Sequence, residues 1–187
     1  MPVPTSTDQA LALLRQLGAE SMAHPGGTLL THLDRVRLRL AGWGARPALQ
    51  LAGLCHACYG TDGFPESLLP LDRRTDLATA IGAEAEATVY LYAACDRTAT
   101  YPTLADPAAP FHDRFTGAAH TPSPGLRRDF AELTAANELD LADHDAAFRE
   151  RWGAELLALF TRIRPLLSEA AWDDCRTVLG DGQDRCW

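Results

Sequence analysis

Three polar side chains stand where the apolar stripe of a helix should run: His32, His56 and Asp96. In "GGTLLTHLDRVRLRLAGWG" the residues Leu29, Leu33, Val36 and Leu40 recur at helical spacing. His32, three residues after Leu29 and four before Val36, turns inward with them. In "PALQLAGLCHACYG" Leu49 and Ala52 share a face with His56 and Tyr59, and in "AEAEATVYLYAACDRTA" Val89 and Tyr92 share one with Asp96. A buried carboxylate without a cation or several donors takes up a proton instead of keeping its charge. Two inward histidines and one inward aspartate, on three separate helices, would satisfy one another by holding one divalent metal. The plainer alternative is that His32 and His56 are neutral core histidines and that Asp96 caps a helix or pairs with Arg97 or Arg35.

The elements that must position these residues read as helices throughout. Leucine and alanine dominate, and no β-branched run alternates with period two, so the expectation is an all-α chain. A first helix follows Ser6 or Thr7 as N-cap and stops near Gly18. A second starts after Gly26 and Gly27 and stops at Gly42 and Gly44, and a third begins at Pro47 and runs to Gly60. "RTDLATAIG" is short, "AEAEATVYLYAACDRTA" is apolar through its middle, and three further helices follow Pro124. The length of 187 residues and 47% hydrophobic content suit one domain, 1–187, with core motifs at 24–97, a proline-rich loop at 100–124 and C-terminal helices at 125–180. A loop of that length reads as a lid or binding loop, in which His112 and His120 would close over a substrate.

A net charge of -8 with scattered arginines excludes a basic nucleic-acid surface and disfavours an anionic membrane. The opening residues lack a basic n-region, and no apolar run is long enough for a bilayer, so a cytoplasmic location is expected. The expected partner is a small-molecule substrate, with a second copy of the chain left open as a homodimer. Cys55 and Cys58 flank His56 in a CxxC spacing, but late in a helix rather than at an N-terminus beside a strand. They read as packing, and Cys175 and Cys186 are too far apart to complete a structural zinc site. His24, before "PGGTLL", falls near the start of the helix that carries His32. His144 reads as a surface or helix-end residue.

"TLLTHLDRVRLRL", "LAGLCHACYG" and "VYLYAACDR" together resemble the HD-domain superfamily of helical metal-dependent enzymes, in a branch where the second histidine precedes a Tyr-Gly-Thr turn. The resemblance spans about Leu29 to Arg97 and, more weakly, "AANELD". It implies an HD-like bundle in which His32 is the first ligand, His56 the second and Asp96 the last. Ala57 stands where the superfamily has the aspartate of its His-Asp pair, which argues against a dinuclear centre. The expected cofactor is then one divalent transition metal, iron, manganese or zinc. It would activate water, a substrate oxygen or dioxygen in a hydrolase, lyase or oxygenase. Tyr59 would supply a proton donor or steady the metal ligands, and Thr61 and His24 would touch substrate. Asn137 or Glu138 would reach the pocket to bind substrate or replace the carboxylate missing at Ala57. Two other readings compete: a metal-free relative using Tyr59, His56 and Asp96 for acid–base chemistry, and a non-catalytic helical interaction protein.

Overall fold

The structure, a computed structural model, describes residues 5–64 and 66–180. It is an all-α helical bundle with two very short hairpins. Helix α1, Ser6–Gln16, takes its N-cap one residue before Ser6 and two before Thr7, the caps expected from the sequence. Thr5 is the N-cap because Asp8 reaches back to its N–H while Thr5 Oγ1 accepts from the Asp8 N–H, a reciprocal capping box. Strands β1, Ala23–His24, and β2, Gly27–Thr28, form an antiparallel hairpin that feeds directly into α2, Leu29–Gly42. Its turn needs Gly26 at φ 76°, where a side chain would also collide with His144.

The α2 stripe behaves as its spacing demands: Leu29, Leu33, Val36, Leu40 and His32 are all buried. Helix α3, Pro47–Cys55, makes its most extensive contact with α2. The close crossing depends on Gly53, because a Cβ there would lie 2.5 Å from Leu40 Cδ1 and 3.4 Å from Val36 Cγ1. Gly53→Val should therefore destabilise the fold by about 1–3 kcal/mol, as overpacking of a filled core does. Urea unfolding checks this, and an unchanged midpoint would mean that the two helices separate freely at this point. The helix is shorter than the expected run to Gly60. Beyond Cys55 the chain makes tight turns, with Cys58 N–H donating to Cys55 O and Gly60 N–H to Ala57 O.

Helices α4, Arg74–Ile81, and α5, Ala83–Ala94, pack on α1 and α3. Helix α5 ends at Cys95, which is extended and bridged to Asp113, and the four-residue α6, Arg97–Thr100, follows. The expected lid at 100–124 is instead a packed segment holding β3, Phe111–His112, and β4, Ala119–His120. It closes the C-terminal end of α5, since the Arg114 guanidinium donates to Ala93 O and the Arg114 N–H to Ala94 O. Buried Arg127 ties it down further, donating to Leu104 O and Ala109 O. Helix α7, Pro124–His144, runs through the middle of the molecule against α2, α3, α5, α8 (Ala146–Arg162) and α9 (Glu169–Gly180). Surrounded in this way, it is buried on most sides, including at Asn137, Glu138 and Asp140. No helix among the described residues is long and apolar enough to cross a membrane.

Candidate functional site

Helix α2 aims His32 at α7, where its Nδ1 lies 2.6 Å from Asp140 Oδ2 and its Nε2 lies 3.0 Å from Asn137 Oδ1. Asp140 is also gripped by Arg35, one helical turn after His32, through Nε at 2.7 Å and a terminal nitrogen at 2.8 Å. Burial alone would push the Asp140 carboxyl up. Hydrogen bonds from His32 and Arg35, and attraction to both, outweigh it and hold the group well below the usual carboxylate range. The carboxylate therefore accepts the Nδ1 proton of His32 and turns Nε2 towards the Asn137 side chain on the cavity side. Arg35 does a second job, donating to Pro25 O at 3.0 Å and Gly26 O at 3.1 Å, which pins the β1–β2 turn over the site. As a result His24 stacks on His32, ring centroids 4.1 Å apart.

His56 stands at the C-terminal end of α3 and donates its Nδ1 proton to Gly53 O at 2.8 Å. Burial, reinforced by the neighbouring His32, lowers its pKa to about 3, so the ring is neutral and Nε2 carries a lone pair. Burial and His32 likewise lower His24 to about 4, and its buried Nδ1 has no hydrogen-bond partner among the described residues. The three histidines line one cavity of about 330 Å³, together with Asn137, Glu138 and Arg97. Arg97 donates to Glu138 Oε1 at 3.1 Å and to the Tyr92 hydroxyl at 3.2 Å. Thr61, buried in a tight turn closed by reciprocal backbone bonds with Phe64, completes this wall.

Other expected site residues lie elsewhere. Asp96 is the N-cap of α6, its Oδ1 accepting from the Ala99 N–H, and it does not line the histidine cavity. The helical face it was assigned to ends when the backbone turns extended at Cys95. Tyr59 points away, its hydroxyl donating to Glu86 Oε1 at 2.9 Å, because α3 stops before it. His112 and His120 sit in the β3–β4 hairpin, His112 half-buried and His120 exposed against the Phe111 ring, and neither lines the cavity. Cys55 and Cys58 are buried, as is Cys175, whereas Cys186 lies outside the described residues. His144 ends α7, its Nδ1 bonded to Asp140 O at 2.9 Å. The roles of Asp140, Arg35 and Arg97 were missed.

Residues 13–97 match the family model described as "Domain of unknown function (DUF6817)". No curated protein and no solved structure matches the chain. The matched stretch runs from within α1 to the first residue of α6 and holds His24, His32, His56, Thr61 and Arg97. Asn137, Glu138 and Asp140, on α7, lie beyond it.

A metal held by His32, His56 and Asp96 does not fit this arrangement. Each histidine does have its outer nitrogen engaged, as metal-bound imidazoles do. The third ligand is missing, since Asp96 is a helix cap and Glu138 is paired with Arg97. Among the described residues no three His, Cys, Asp or Glu side chains are gathered as a metal-holding group. What the site does offer is a buried His32–Asp140 pair, a second neutral imidazole lining the same cavity, and a guanidinium with donors to spare.

Proposed function

We propose that this chain is an enzyme that moves a proton on a small polar metabolite, of the lyase or isomerase class, without a metal. The observation that carries the reading is the pair of histidines whose Nδ1 atoms are tied off, on Asp140 and on Gly53 O, while both rings line one cavity. In this reading the Asn137 amide turns its N–H group to His32, so that Nε2 is the free-base nitrogen, and substrate displaces Asn137 from it. His32 Nε2 then takes a proton from a carbon next to a substrate carbonyl. Asp140 keeps the imidazolium so formed oriented and charge-compensated. The remaining N–H groups of Arg97 and the Asn137 amide hold the carbonyl oxygen where negative charge develops. His56 Nε2, neutral at working pH, accepts a hydrogen bond from substrate or relays the proton.

The test is hydrogen exchange in D2O, followed by proton NMR, on a panel of small oxo- and hydroxy-acids. At least one compound should take up deuterium at the carbon beside its carbonyl, and His32→Gln should slow that exchange by about 10²–10⁴-fold. Exchange that survives His32→Gln, or its absence throughout the panel, defeats the reading. Metal analysis separates it from the metal-dependent expectation: stoichiometric iron, manganese or zinc whose removal stops exchange would favour the HD-like mechanism instead.

A further inference from the structure

A second and larger cavity, about 710 Å³, adjoins the histidine chamber. Gly63, Arg97, Glu138 and Phe148 line both, so the Arg97–Glu138 pair forms part of the wall common to the two chambers. The outer wall is one face of α8, where Phe148, Trp152, Leu156 and Leu159 recur at helical spacing. Trp152 is 38% exposed, unusual for so large an apolar ring.

Resting on the acid–base reading above, we propose that the substrate has two parts and that this second chamber takes a flat apolar one. The ligand class is an aromatic or fused-ring compound carrying a carbonyl or carboxylate. Its oxygen end lies among His32, His56 and Arg97, and its ring lies against Trp152 and Phe148. The chamber volume lies within the range of small-molecule sites, and Arg97, Glu138, Glu155 and Arg162 line it beside the apolar face of α8.

Calorimetric titration with acetate, benzoate and 2-naphthoate tests the proposal. Affinity should rise at least about tenfold from acetate to 2-naphthoate, since each added ring buries apolar surface. Trp152→Ala, at a partly exposed position, should remove most of that gain and leave acetate binding unchanged. Equal affinities across the series, no binding by any member, or a gain that survives Trp152→Ala would overturn the second chamber. Failure of the acid–base reading shows separately, as deuterium exchange that persists in His32→Gln.

Discussion

Replacing Asp140 by alanine is expected to cost about 3–5 kcal/mol of folding stability, because it leaves the Arg35 guanidinium and the His32 ring facing a buried hole with no counter-charge. For a chain of this size that corresponds to a fall of roughly 10–15 °C in the thermal midpoint. Asp140→Asn keeps the shape and one acceptor and should lose less, while still failing to hold the His32 proton in place. Removing Arg35 at the same time separates direct loss from stranded charge. Asp140→Ala in an Arg35→Met background should cost far less than in the parent, and the difference is the coupling energy. A loss below about 1 kcal/mol for Asp140→Ala alone would mean that the cluster is open to water, and the account of the site would fail with it.

The second large effect is sensitivity to mild acid. The folded chain keeps His56 neutral down to about pH 3 and His24 to about pH 4, whereas both take up a proton near 6.5 when unfolded. Between those values the unfolded state binds more protons, so stability falls as pH falls, by up to about 1.4 kcal/mol per pH unit for buried His56 and by less for half-buried His24. Asp140 has the opposite arrangement. Its pKa is depressed in the fold, so its contribution is intact above about pH 4 and is lost only as pH drops through its folded value. The decline from pH 6.5 to 4 therefore belongs to the histidines. Urea midpoints at unit steps of pH should show it, and His56→Gln should flatten the slope by about one proton. A variant with the parental slope would mean that His56 is protonated in the folded chain.

Where helical spacing was unbroken, the sequence was a good guide. His32 shares the buried stripe of α2 with Leu33 and Val36, and the glycines that bound α2 were visible as breaks. Asn137 and Glu138 line the cavity with His32 and His56, and only a faint resemblance pointed to that segment. The misreadings come from helices that end early. Cys95 turns extended to pair with Asp113, which removes Asp96 from the face of Val89 and Tyr92. The stop at Cys55 similarly swings Tyr59 towards α5. The 100–124 segment looked like a lid because strands of two residues leave no alternating pattern to read. Asp140 was hidden for another reason. Acidic and leucine residues interleave along "NELDLADHD" as on an exposed face, and nothing local says that five other helices surround α7.

The clamp that Asp140 makes with His32 spans 108 positions of sequence, and that with Arg35 spans 105. Contacts between neighbouring elements, such as α2 with α3 or α4 with α5, close short loops, whereas this one must wait for a long loop to close. The order of assembly then matters to the chemistry. A nascent chain that has folded only as far as α6 already owns both histidines and Arg97, but has nothing to orient His32. On the proposed acid–base reading, His32 is oriented only once α7 has packed against α2, so a ligand that needs the oriented imidazole reports the docking of α7 rather than the presence of its contact residues.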